Sequence, residues 1–190
     1  MKTKRPGQSV LLLLDVIDIL DEFSVPYAII GAFAVSFYGV VRASVDADAM
    51  ISLSSGAVEK GLMGRFHRLG LKTVLRKGDA RDPIGAVINV EDKFGNRVDL
   101  LMKIRGVSEE SFQRTVEAKF KNRKIFLVGI EDLIAMKIFA GSPKDLSDVV
   151  GVLKVSHDRI DRVLLKELMK DYGKNGLRKL ESLLKEAFSK

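Results

Sequence analysis

Ile30-Gly31-Ala32-Phe33-Ala34-Val35, running on through Gly39-Val40-Val41-Arg42-Ala43-Ser44-Val45-Asp46-Ala47-Asp48, is the stretch from which the rest of the chain can be read. Tyr27 to Ile30 is a short apolar strand, Gly31 breaks it, and Ala32 to Tyr38 gives two helical turns closed by Gly39. A glycine at this break lets backbone come close to a phosphate, and the amides of Ala32 and Phe33 open a helix where anions are favoured. Ser44 to Leu53 alternates as strands do, which predicts Asp46 and Asp48 on one face and Val45, Ala47 and Ala49 on the other. Two carboxylates a few residues beyond a phosphate-friendly turn suit Mg²⁺, which takes a few carboxylates plus phosphate oxygens and water; a pair plus a third acid is the expected set.

Outward from this stretch, Gln8 to Phe23 reads as a helix with Leu12, Val16, Ile19 and Leu20 on its apolar side, stopped by Ser24-Val25-Pro26. Ala57 to Leu69 is a surface helix, Leu71 to Arg76 a strand, and Gly78 to Gly85 a turn-rich, mobile loop. Ala86 to Val90 and Arg97 to Lys103 flank Lys93-Phe94-Gly95-Asn96, a hairpin whose second strand carries the third acid, Asp99. Ser108 to Ala118 is expected as a helix capped by Ser108, and Lys124 to Val128 as a last strand. The remainder is helical: Ile130 to Phe139, Pro143 to Leu153, Asp158 to Asp171 capped by Ser156, and Gly176 to Phe188. The expectation is an α+β fold, a mixed and mostly antiparallel sheet with flanking helices, divided into a core of residues 1–128 and a helical region of residues 129–190 packed on it.

Hydrophobic residues at 46% and charged residues at 30% fit a globular chain with its own core. The absence of cysteine excludes disulfides and thiolate metal sites and points to a cytoplasmic home. Asp15, Asp18, Asp21 and Glu22 interrupt the apolar run after Val10 too early for an export signal or a membrane span. A net charge of +7 biases the protein toward phosphates, nucleotides or nucleic acid without choosing among them.

These motifs, in this order, resemble the nucleotidyltransferases of the polymerase β type, and within them the minimal branch that includes AbiEii-like toxins. The resemblance runs from about Tyr27 to Leu153 and rests on Gly31-Ala32, Gly39 with Arg42 and Ser44, Asp46-Ala47-Asp48, Arg97-Val98-Asp99-Leu100, Lys137, and Lys144-Asp145-Leu146-Ser147-Asp148. It implies transfer of a nucleoside monophosphate from an NTP to an acceptor hydroxyl by two-metal Mg²⁺ chemistry. Asp46, Asp48 and Asp99 would be the catalytic carboxylates and metal ligands, and Asp99 would help deprotonate the acceptor. Gly31, Ala32, Arg42, Ser44 and Lys137 would bind the nucleotide, and Asp145 or Asp148 would position the acceptor: a tRNA or other RNA end, a protein side chain, or a small molecule. A toxin and antitoxin pairing would add a partner protein. Ala32 departs from the family's Gly or Ser and removes a phosphate-binding hydroxyl, while Ser44 in place of Thr is conservative.

Plainer roles compete. Arg42 can pair with a carboxylate to hold its loop. Lys137, among Leu133, Ile134, Met136 and Ile138, can snorkel to solvent, and Lys144, Asp145 and Asp148 can be helix surface charges. His67 and His157 read as structural. The basic tail, with Arg159, Arg162, Lys166 and Lys170, is interleaved with acids as on a solvated helix face. The alternative to an active transferase is a module that keeps the fold without catalysis and binds a nucleic acid or protein partner.

Overall fold

In the computed structural model, which describes residues 1–79 and 81–188, the apolar spacing of the N-terminal segment becomes helix α1 (Ser9–Glu22), and Leu12, Val16, Ile19 and Leu20 are all buried. The chain divides into two compact units: Met1–Phe33 with Ala43–Arg105, and Ala34–Arg42 with Gly106–Lys190. The boundary expected at Val128 falls inside the second unit.

After α1 come β1 (Tyr27–Ile29), α2 (Gly31–Phe37), β2 (Ala47–Ile51), α3 (Gly56–Arg68), β3 (Lys72–Lys77), β4 (Ile84–Glu91) and β5 (Arg97–Ile104). The first unit's strands lie in the order β3-β4-β5-β2-β1. Among the described residues of this unit, β2 and β5 pair in parallel and the other neighbours antiparallel. Along β5 the pleat separates buried Val98, Leu100 and Met102 from half-buried Arg97, Asp99 and Leu101. The buried face belongs to the core with α1 and α3, whose Leu62 and Phe66 are fully enclosed. Each such side chain contributes roughly 1.5–3 kcal/mol relative to exposure. The other face carries the acids.

Two expectations shift here. Residue Asp46 sits in a bend one residue before β2, because parallel pairing with β5 starts at Ala47 opposite Val98. Ile84 and Gly85, expected in a loop, extend β4; Ala80 of that loop lies outside the described residues.

The β4 to β5 turn is organised by buried Asp92. Its Oδ1 accepts from the amides of Phe94 (2.8 Å) and Asn96 (3.0 Å), and its Oδ2 from Asn96 Nδ2 (2.8 Å). Burial opposes the ionised form, but these hydrogen bonds prevail and hold the Asp92 pKa below its ordinary value. A depressed pKa contributes stability that is present above the unfolded-state value near 3.9 and is lost as pH falls through the folded value. Urea titrations are therefore expected to lose stability below about pH 4, with a shallower loss in Asp92→Asn; parallel curves would show that Asp92 is not part of the acid transition.

The second unit contains α4 (Glu109–Gln113), β6 (Val116–Phe120), β7 (Arg123–Leu127), α5 (Ile130–Ala140), α6 (Pro143–Val155), α7 (Arg162–Asp171) and α8 (Lys174–Phe188). The helix expected to reach Ala118 stops at Gln113. Val116, Ala118 and Phe120 alternate with exposed Glu117 and Lys119, and Lys121 and Asn122 take positive φ of 47° and 60°, closing a tight hairpin onto β7. The helix expected from Asp158 begins at Arg162, because a short 3₁₀ turn (His157–Arg159) intervenes and Asp161, not Ser156, caps α7 through the amides of Val163 and Leu164. Ser156 instead donates to the carbonyl of Tyr38 (2.9 Å), whose hydroxyl donates to that of Val128 (2.7 Å). Burial pushes the Tyr38 pKa up to about 12. Gly39, at φ +97°, lies so close to Val155 that a Cβ there would come within 2.5 Å of it. These contacts tie the Ala34–Arg42 segment to residues 90 to 118 positions further along the chain. No helix among the described residues is long and apolar enough to cross a membrane.

Candidate active site

Strand register assembles the acids of the first unit. Asp99 on β5 lies opposite Asp48 on β2 and opposite Asn89 on β4, so Asn89, Asp99 and Asp48 form one row across three neighbouring strands. All three are half-buried, as is Asp46 at the entrance to β2.

Asp99 is already engaged. Arg97, two residues earlier on the same face, grips it with a fork: Nε donates to Oδ1 and Nη2 to Oδ2, both at 2.8 Å. Asn89 Nδ2 donates to Oδ1 at 2.7 Å. The hydrogen bond to Asp99, helped by the charges of Asp99, Asp46 and Glu91, outweighs burial and raises the Arg97 pKa. Sequence reading assigned no role to Arg97 or Asn89. The i,i+2 spacing of Arg97 and Asp99 was a visible signal, whereas Asn89 depends on the β4 register.

Gly31 meets the row from the side. At φ +63° it opens α2, and a Cβ there would come within 2.2 Å of Asp48 Oδ2, so this backbone position is shaped around the carboxylate. The Ile30 amide donates to the Asp48 carbonyl (3.0 Å), which fixes β1 against the row. Ala32 is buried while Gly31 is half-buried, so the glycine is the more open of the two backbone positions expected at a phosphate. Ser44 is exposed.

No group of three or more His, Asp or Glu side chains among the described residues stands ready to hold a metal. The donor chemistry nevertheless fits Mg²⁺: Asp48 and Asp99 are aligned oxygen donors with Asp46 beside them, a cation already occupies the row in the form of Arg97, and Mg²⁺ completes its shell from phosphate and water.

Arg42, Lys137, Asp145 and Asp148 come together in the second unit as one ion-pair network. Asp148 Oδ2 accepts from Arg42 Nη1 and from Lys137 Nζ (2.7 Å); the Lys137 ammonium also donates to Asp145 Oδ1 (2.8 Å). Ser142 caps α6, accepting from the Asp145 amide (3.1 Å) and donating to its Oδ2 (2.5 Å). Burial works against ionised Asp145, but the bonds from Lys137 and Ser142 and the charges of Lys137 and Arg42 hold its pKa low. The phosphate and acceptor residues expected from sequence are thus one another's partners here, with Arg42 Nε a buried donor lacking an acceptor.

The strand order, the parallel β2 and β5 pair and the acids on the pleat beside a strand-glycine-helix turn define the nucleotidyltransferase fold. Among solved structures the chain is similar to the antibiotic-resistance factor ANT(2'')-Ia, with a TM-score of 0.61 at 17% identity over 92% of this chain and 96% of that one. It is also similar to an antigenic nucleotidyltransferase-like protein from Paracoccidioides brasiliensis (TM-score 0.52, 15% identity, 96% and 95% covered) and to the lincosamide antibiotic adenylyltransferase LnuA, solved with lincomycin (0.51, 11%, 81% and 100%). No family model and no curated protein matches the chain.

Proposed function

We propose that this protein is a Mg²⁺-dependent nucleotidyltransferase, and the observation that carries the reading is the Asp48 and Asp99 register, with Asp46 and the Gly31 backbone beside it. The acceptor oxygen bonds to the α-phosphorus of an NTP, the bond to the β-phosphate oxygen breaks, pyrophosphate leaves, and the hydroxyl proton passes to water. Asp46, Asp48 and Asp99 would hold Mg²⁺, which supplies charge neutralisation on the triphosphate and a more acidic acceptor hydroxyl. The Gly31 turn brings backbone without a side chain up against Asp48, and its glycine would let the triphosphate come close to the same carboxylate. Placement in the toxin-like branch, with a partner protein and a tRNA or protein acceptor, rests on Lys137, Asp145 and Asp148, whose pairing with one another suits a structural brace equally well.

A second reading, a binding module without turnover, is favoured by the Arg97 fork on Asp99. The two separate on titration with each labelled NTP, with and without Mg²⁺, beside an Asp46→Ala, Asp48→Ala double variant. Metal-dependent binding lost in the variant is expected; binding that is absent, or equal in both proteins, would favour the module.

A further inference from the structure

A carboxylate offers roughly four acceptor positions, and on Asp99 three are taken: two on Oδ1, by Asn89 Nδ2 and Arg97 Nε, and one on Oδ2, by Arg97 Nη2. The two donors are held from different strands. Arg97 opens β5, where its amide donates to the hydroxyl of buried Ser9 at the start of α1 (3.0 Å). Asn89 sits in β4, with its own Oδ1 buried and without a hydrogen-bond partner. An amide oxygen left bare beside this row stands at a cost, since an unpaired buried acceptor opposes folding. The amide is therefore oriented by Asp99 rather than by its own full satisfaction.

We propose that Arg97 and Asn89 are positioning residues for Asp99: together they leave a single position, on Oδ2, for an incoming cation, and Arg97 balances the carboxylate's charge until that cation arrives. The proposal rests on the reading of Asp46, Asp48 and Asp99 as metal ligands. It leaves Asp99 one acceptor position to offer and sets the incoming cation against the positive charge of a resident guanidinium. Releasing Asp99 would cost the Asn89 amide its hydrogen bond to the row while its Oδ1 stays without a partner.

Mn²⁺ serves as the probe, with free ion counted by electron paramagnetic resonance in the full-length protein and no nucleotide present. Arg97→Met removes one positive charge beside the row and is expected to tighten Mn²⁺ binding about tenfold. Arg97→Lys keeps the charge and returns affinity toward that of the parent protein. Asn89→Ala frees an Oδ1 position and tightens binding by a smaller factor, and adding Asp99→Asn to Arg97→Met abolishes the gain. A side chain that merely supports the fold gives the opposite sign, since damage to the site or loss of folded protein weakens binding. Unchanged or weaker Mn²⁺ binding in Arg97→Met, with the parent binding and the Asp46→Ala, Asp48→Ala variant not, overturns the proposal and leaves the metal reading standing. A parent protein that binds no Mn²⁺ overturns both.

Discussion

Asp148→Ala is expected to destabilise the protein by about 3–5 kcal/mol, because it strips the shared anion from two cations that are held out of water. Asp148 and Lys137 expose only 7% and 10% of their side chains, and Arg42 19%. Deleting Asp148 leaves the Lys137 ammonium with Asp145 alone and the Arg42 guanidinium without a directly paired carboxylate, the two cations then sharing the charge of Asp145 and repelling one another. Breaking such a cluster from one side is far worse than never having built it. Adding Lys137→Met to Asp148→Ala should therefore recover part of the loss, a non-additivity that a double-mutant cycle in urea reads directly. A loss below about 1 kcal/mol, the scale of an exposed pair, would mean that the network is solvated and its cations are free to serve a nucleotide instead.

Gly31→Ala is expected to weaken Mg²⁺-dependent NTP binding and turnover on the order of 100-fold, the scale of a misplacement of about 1 Å in a catalytic site. A methyl at this position meets Asp48 Oδ2 at 2.2 Å and Cγ at 3.0 Å, on a backbone whose φ of +63° already disfavours any side chain. Either the carboxylate turns away from the row or the start of α2 moves off it. Gly64→Ala in α3 is the control, since it adds the same methyl where only the end of the Arg68 side chain comes within 4 Å. Labelled-NTP titration of both variants checks the prediction, and parent-like binding by Gly31→Ala would remove the turn from the site.

What could be read without coordinates was local. The β1, Gly31, α2 sequence and the hairpin carrying Asp99 depend on neighbours a few residues apart, through a glycine, a turn and a period of two. The residue Asp46 fell outside its expected strand because the first rung of β2 is set by β5, some fifty residues on. The helix assigned through Ala118 gave way to β6 because its alternation gains a partner only from β7, across the Lys121-Asn122 turn. Asn89 on Asp99, and Arg42 on Asp148 across 106 residues, are products of register and tertiary packing that no spacing along the chain encodes.

The route of the chain carries a consequence for its synthesis. The residues of the first unit are complete once Arg105 has left the ribosome, yet the Ala34–Arg42 segment inside that span belongs to helices still to be made. A nascent chain must carry this apolar segment, with Val35, Tyr38 and the Arg42 charge, exposed as a loop until Val128, Asp148 and Ser156 emerge to receive it. Premature termination after Arg105 would thus release the first unit's residues with an apolar segment whose partners are missing, a product suited to aggregation or chaperone capture.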